Sequence, residues 1–280
     1  MNNLIIRKMK RSDMDVAINM AAGEGWNPGL YDAETFFNTD PEGYFIAELN
    51  GVSAGVISSV AYGNNFGFIG FYIVKKELRG HIIGVKLGKS AMEYLGERNI
   101  GIDGVLQKVK NYEYFGFKFA YKNARYEGLS NNIQICPSQL TEIYDIDFPE
   151  LLKFDNNFFP VSRPLFLKNW INLQASMGYA YMEKNQIKGY GIIRKCRTGY
   201  KIGPLFAENF EIAELIFNVL ISKIKNEKFF LDIPEINENA VKLVNKYKMQ
   251  KIFATARMYN KYIPDLPIKK IFGITSFELG

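Results

Sequence analysis

The chain has 280 residues, 48% hydrophobic and 15% aromatic, enough apolar mass for one large domain or two smaller ones. Two cysteines and one histidine give no disulfide framework and argue against zinc, and no run approaches the ~18 apolar residues of a membrane span. The net charge of +6 is spread through lysine runs such as Lys242, Lys246, Lys248 and Lys251, interleaved with Asn and Val, as on a solvated helix face rather than a nucleic-acid surface.

Arg7, Lys8 and Lys10 are followed by no apolar h-region, so no signal peptide is expected and the expected compartment is cytoplasmic. Leu4 to Arg7 reads as a first strand. Ser12 with Asp15 three residues on predicts a capping box opening a helix over 13–22, stopped by Gly23. Glu24 to Gly29 is rich in turn formers, and Asp32 reads as the N-cap of a second short helix. Tyr44–Leu49 and Val52–Ala61 flank Asn50-Gly51, a strong hairpin signal. Phe68 to Val74 is a continuous apolar run, the pattern of a strand covered on both faces.

A loop then reads Arg79-Gly80-His81-Ile82-Ile83-Gly84, and Ile83, Leu87, Ala91 and Leu95 recur every four residues as on an amphipathic helix. A strand, a Gly-bearing loop and a helix start bring orphan N–H groups and the positive end of the helix dipole together, with Arg79 beside them. A diphosphate suits that geometry. Further on, Ile100–Val105 reads as a strand, Val109–Phe115 as a short helix and Lys118–Tyr126 as another strand.

The loop resembles the acetyl-CoA diphosphate loop of the GCN5-related N-acetyltransferases, the GNAT family, whose signature is Arg/Gln-x-x-Gly-x-Gly/Ala. Arg79 and Gly84 match it, while Ile82 stands at the middle Gly, a departure that costs energy only where φ must be positive. Tyr112 to Phe117 is similar to the family's Tyr-x-x-x-Gly-Phe. The Asn often found seven residues before that Tyr is absent, with Val105 in its place. The resemblance implies an α/β (α+β) fold with a mixed, mostly antiparallel sheet flanked by helices. It also implies acetyl-CoA as co-substrate, with no metal. The expected cofactor contacts are the backbone of Tyr72, Ile73 and Val74 for the pantetheine arm, and Arg79, Gly80, His81, Ile82, Ile83 and Gly84 for the diphosphate.

Acyl transfer to an amine of pKa ~10.4 requires freeing a lone pair at a cost of roughly 4.6 kcal/mol at neutral pH, so a base should matter more than an acid. The resemblance implies Tyr112 as the acid. For the base, Asp103 and Glu24 are candidates, each with the alternative of being a cap or surface carboxylate. Trp26 and Asn27 are candidates to line the acceptor pocket.

The remainder reads as a second copy. Residues 178–186 parallel 43–51, residues 201–206 parallel 68–73, and Met249 and Arg257 repeat the spacing of Phe117 and Arg125. The expected units are 1–128, a linker over 129–142, and 143–280. The second copy lacks the phosphate loop, reading Ala207 to Ala213 with two carboxylates, and it carries Val244 and Lys248 where Tyr112 and Gly116 stand. It is therefore expected not to bind acetyl-CoA. The expected activity is acetyl transfer to a small-molecule or peptide amine by a monomer, with the site in the first copy. A non-catalytic acetyl-CoA sensor or scaffold is the alternative.

Overall fold

The computed structural model describes residues 3–130 and 140–280, so Asn131, Asn132, Cys136 and Pro137 of the expected linker lie outside the described residues. The first half runs β1 (Leu4–Lys8), α1 (Met14–Gly23), α2 (Asp32–Thr39), β2 (Tyr44–Leu49), β3 (Val52–Tyr62), β4 (Phe66–Val74), α3 (Ile82–Leu95), β5 (Asn99–Val105), α4 (Val109–Tyr114) and β6 (Lys118–Leu129). The second half repeats the order as β7 (Leu140–Glu142), α5 (Phe148–Asp155), α6 (Pro164–Ile171), β8 (Ser176–Glu183), β9 (Gln186–Lys195), β10 (Tyr200–Ala207), α7 (Phe210–Ser222), β11 (Lys228–Pro234), α8 (Glu238–Lys246) and β12 (Gln250–Tyr259). A last short strand, β13 (Ile271–Gly273), follows.

One sheet carries all of these strands, in the order β1-β2-β3-β4-β5-β12-β6-β11-β10-β9-β8-β7, with β13 attached to β10. Among the described residues only β4/β5 and β10/β11 pair in parallel. The two halves exchange their last long strands: β12 pairs with β5, β6 pairs with β11, and the exchanged strands pair with each other. The mixed, mostly antiparallel sheet expected for each copy is thus present, and the reciprocal exchange joins both copies into one surface.

The helices cover this sheet through the apolar positions their periodicity offers. Ile83, Leu87, Ala91 and Leu95 of α3 are all buried. Each large one contributes about 1.5–3 kcal/mol by leaving water. At the N-terminus the capping differs from expectation. A short 3-10 turn over Arg11–Asp13 precedes α1, and Asp13 Oδ2 accepts from Lys10 N at 2.7 Å. The helical start therefore lies at Lys10, two residues before Ser12, with Asp13 also held by Arg7 at 2.6 Å. Asp32 does not act as the N-cap of α2 but is its first residue, buried, accepting from Gly29 N and from Arg194. The second hairpin turns at Lys184-Asn185, both with positive φ, one residue earlier than Asn185-Gln186, the expected parallel of Asn50-Gly51. Tyr72, within the strand expected to be covered on both faces, is 39% exposed.

Candidate active site

β4 and β5 pair from Phe66↔Asn99 to Ile69↔Ile102 and then part. At the parting, Phe71 and Tyr72 together oppose the single residue Ile57, between the Ser58↔Gly70 and Val56↔Ile73 pairs, and Phe71 takes φ +44°. A bulge of this kind bends the strand and re-aims its side chains. It leaves the β5-facing edge of residues 70–74 without a strand partner among the described residues. A cavity of about 270 Å³ opens there, walled by Trp26, Phe71, Ile102, Tyr112, Phe117, Phe253 and Phe277, with Asp103 and Glu278 also on its lining.

The loop leading to α3 forms one end of this wedge. His81, at the N-cap, is extended, no side chain caps the helix, and no acidic residue stands in its first turn. The N–H groups of that turn are therefore not claimed by a side-chain cap. Gly80 alone in the loop has positive φ, +82°, whereas Ile82 is already helical, so the missing middle glycine costs no backbone strain. Tyr72 Oη donates to Gly84 O at 2.6 Å, and a Cβ on Gly84 would stand 3.1 Å from that oxygen. Arg79 donates from Nε to Val74 O at 2.9 Å and from Nη2 to Glu24 Oε1 at 2.5 Å. Two residues singled out for different roles, Arg79 and Glu24, are thus brought into one ion pair. Ile73 is buried, and Val74 pairs with Gly55 on β3.

Tyr112 reaches the same cavity from α4. Its ring lies so close to β5 that a Cβ on Gly104 would come within 2.3 Å of it. Burial, with a smaller contribution from Tyr72, pushes the phenol up to about 12, against a lowering contact with the Val105 backbone. It is therefore protonated at neutral pH. Asp103 lines the cavity but is committed to Arg257 through two bonds of 3.0 and 2.6 Å and accepts from Asn123 at 2.8 Å. Trp26 lines the wall, and its carbonyl accepts from Arg125 at 2.5 Å. Asn27 faces elsewhere: its amide exchanges hydrogen bonds with Thr198, and its carbonyl accepts from Lys201 Nζ at 3.0 Å. Among the described residues there is no cluster of three or more His, Cys, Asp or Glu suited to a metal, and no helix is long and apolar enough to cross a membrane.

The corresponding wedge of the second half is filled by the chain itself. β10 and β11 pair from Tyr200↔Phe229 to Ile202↔Leu231, after which β13 pairs with β10 and Ile274 N donates to Asp232 O at 2.8 Å. A Cβ on Gly203, the counterpart of Gly70, would stand 2.5 Å from Thr275 O. Pro204, the counterpart of Phe71, has no N–H to offer a ligand. At the start of α7, Asn209 Oδ1 accepts from Ile212 N at 2.9 Å, and Glu211 occupies the first turn. Val244 takes the place of Tyr112: Met249 N donates to Val244 O at 2.9 Å as Phe117 N does to Tyr112 O at 3.0 Å.

Glu278 and the segment around it escaped sequence reasoning. After filling the second wedge, residues 274–280 continue into the first, where a Cβ on Gly70 would stand 2.1 Å from Glu278 O and Tyr62 Oη donates to Leu279 O at 3.0 Å. The available signal was the pair Gly70 and Gly203 at matching positions of the repeat, two places where a backbone passes at close range.

This geometry has known counterparts. The profile described as "Acetyltransferase (GNAT) family" matches residues 11–117, and the one described as "Acetyltransferase (GNAT) domain" matches residues 151–273. The holothin acyltransferase of Pseudoalteromonas sp. (strain SANK 73390) is 30% identical over 261 residues, 93% of this chain and 89% of its own. In three dimensions an acetyltransferase candidate from Pyrococcus horikoshii superposes with TM-score 0.86 at 22% identity, covering 99% of this chain and 96% of that one. A tandem GNAT protein from the clavulanic acid biosynthesis pathway gives 0.63 at 9% identity, covering 92% and 98%. The chain belongs to the GNAT family and carries two GNAT domains. It is an acyltransferase, of a family that uses acetyl-CoA as co-substrate.

Proposed function

We propose that this enzyme transfers an acetyl group from acetyl-CoA to a primary amine in the β4/β5 wedge, and that the second copy binds no acyl-CoA. The units of the duplication are 1–128 and 143–280, joined through 129–142. The observation that carries the reading is the contrast between the wedges: the first is open beside an uncapped helix start, the second is occupied by β13 beside a helix that caps itself.

The first-turn amides of α3, over Ile82, Ile83 and Gly84, with Gly80, His81 and Arg79 before them, form the diphosphate site. Glu24 holds Arg79 near that site and exchanges it for the diphosphate when acyl-CoA binds. The free edge of residues 70–74 offers its backbone groups, including those of Tyr72, Ile73 and Val74, to the amides of the pantetheine arm. Tyr112 donates to the sulfur as the C–S bond breaks. Full transfer from a phenol at about 12 to a thiolate whose acid has pKa ~8.5 would be uphill by roughly 5 kcal/mol, so Tyr112 stabilises the leaving sulfur by a hydrogen bond, and the sulfur's final proton originates on the amine. Asp103, tied to Arg257, positions β5 at the wedge.

The acceptor is a small, flat, apolar amine. Support comes from the aromatic wall of Trp26, Phe117, Phe253 and Phe277, and from the relative named as a holothin acyltransferase. The enzyme works as a cytoplasmic monomer, the β5 and β11 edges being paired by β12 and β6 of the sister copy. The test is thiol release from acetyl-CoA across a panel of alkyl and aryl amines, with the acylated product weighed by mass spectrometry. Amide formation with at least one amine supports the reading; acetyl-CoA binding with no amide from any acceptor contradicts it.

A further inference from the structure

Glu278 is 2% exposed, yet its Oε2 has no hydrogen-bond partner among the described residues. A buried carboxylate oxygen left without a donor is costly, so such a group points to a donor that arrives with a ligand. Its surroundings favour that conclusion. Glu278 lines the wedge cavity together with Tyr112, and its backbone packs on Gly70, at the start of the β4 bulge. Arg125, Arg194 and Lys201 stand within electrostatic reach. None of the three spends a hydrogen bond on it. Arg125 is paired with Asp232, Arg194 with Asp32 while its Nη1 is also without a partner among the described residues, and Lys201 donates to Asn27 O. Three cations and three carboxylates leave the cluster neutral when Glu278 is charged, and Cys196 is the remaining titratable group beside it. From β5 and β12 the nearest charges, Asp103 and Arg257, are already bound to each other.

We infer that Glu278 is the general base of the transfer, a role that rests on the amine-acyltransferase reading above. The amine enters neutral, and its nitrogen attacks the thioester carbonyl carbon. As the C–N bond forms, the nitrogen becomes positively charged, and the Glu278 carboxylate takes one N–H proton. The C–S bond then breaks with its electron pair going to sulfur, which Tyr112 supports by a hydrogen bond. The proton held by Glu278 passes through solvent to the thiolate, leaving amide and free thiol. This assignment gives the base to the last segment of the chain, which also closes the second wedge.

The test uses full-length enzyme and an arylamine too weakly basic to be protonated over the assay range, so that any acid limb belongs to the enzyme. Acetyl-CoA affinity is measured in parallel by calorimetry. Glu278→Gln is expected to keep the wild-type affinity for acetyl-CoA, to lose roughly a hundredfold in kcat/KM, and to lose the acid limb of the pH profile. Glu278→Asp is expected to keep that limb at reduced rate, which guards against misfolding of the Gln variant. A Gln variant within threefold of wild type, or a wild-type profile with no acid limb, overturns the assignment while leaving amine transfer intact. A wild type that binds acetyl-CoA and acylates no amine overturns both.

Discussion

Asp103 and Arg257 lie 154 residues apart in sequence and form a buried two-bond ion pair directly across the β5/β12 ladder. Asp232 and Arg125 repeat it across β11/β6. Each pair joins a strand of one copy to the strand exchanged in from the other, so the same two residues of the repeat weld the duplication together twice.

Breaking either pair leaves a buried guanidinium uncompensated, because Arg257 and Arg125 are both nearly inaccessible. Asp103→Ala and Asp232→Ala should each cost about 3–5 kcal/mol. Urea denaturation followed by circular dichroism checks this; a loss below about 1 kcal/mol in either would contradict the welding role.

The Asp232 pair also sets a pH dependence. Burial raises the Asp232 carboxyl, but Arg125 outweighs it and holds the group below its ordinary value. The unfolded chain therefore binds a proton more readily than the folded one. The stabilisation is fully present above the unfolded carboxylate value near ~3.9 and is lost as pH falls through the lower folded value. Acid titration of stability should show this loss in wild type and a shallower slope in Asp232→Ala.

How far the sequence foretold this arrangement depends on the range of each interaction. Asn50-Gly51, the spacing of Ile83 to Leu95 and the loop from Arg79 to Gly84 are local signals, and all fall where expected. The repeat was legible too, because Phe117/Arg125 and Met249/Arg257 keep one spacing. The strand exchange was not, since β6 and β12 carry the same alternation whichever partner strand they meet. Asp103 read as a candidate base, or else a cap or surface carboxylate, because Arg257, its partner, lies in the other copy. Glu278 carried no local mark at all; its burial comes from β13 filling a wedge that sequence spacing cannot draw.

The close pass of the last segment predicts a strict requirement at Gly70. A Cβ there would meet the Glu278 carbonyl, a backbone atom that a side-chain rotation cannot relieve. Gly70→Ala should cost about 1–3 kcal/mol and displace residues 276–280 from the wedge. Hydrogen exchange at Leu279, whose N–H donates to Ser276 Oγ at 3.0 Å, reads the displacement. Unchanged protection would contradict it.

Removing the Tyr112 hydroxyl should lower kcat by roughly 10–100-fold while leaving acetyl-CoA affinity within about twofold. Because the phenol is held up to about 12, it does not titrate below pH ~11, so any alkaline limb between pH 8 and ~10.5 should persist in Tyr112→Phe. Disappearance of that limb in the variant would contradict the protonated phenol.

The claim on which the rest depends is that one wedge of the two takes acyl-CoA. Calorimetric titration of acetyl-CoA into wild type and Gly84→Asp tests it most directly, since the substitution sets a carboxylate among the first-turn amides of α3. One site per chain in wild type, weakened at least tenfold in the variant, is the predicted result. Two sites, or one that survives Gly84→Asp unchanged, would place binding in the wedge that β13 fills and contradict the account.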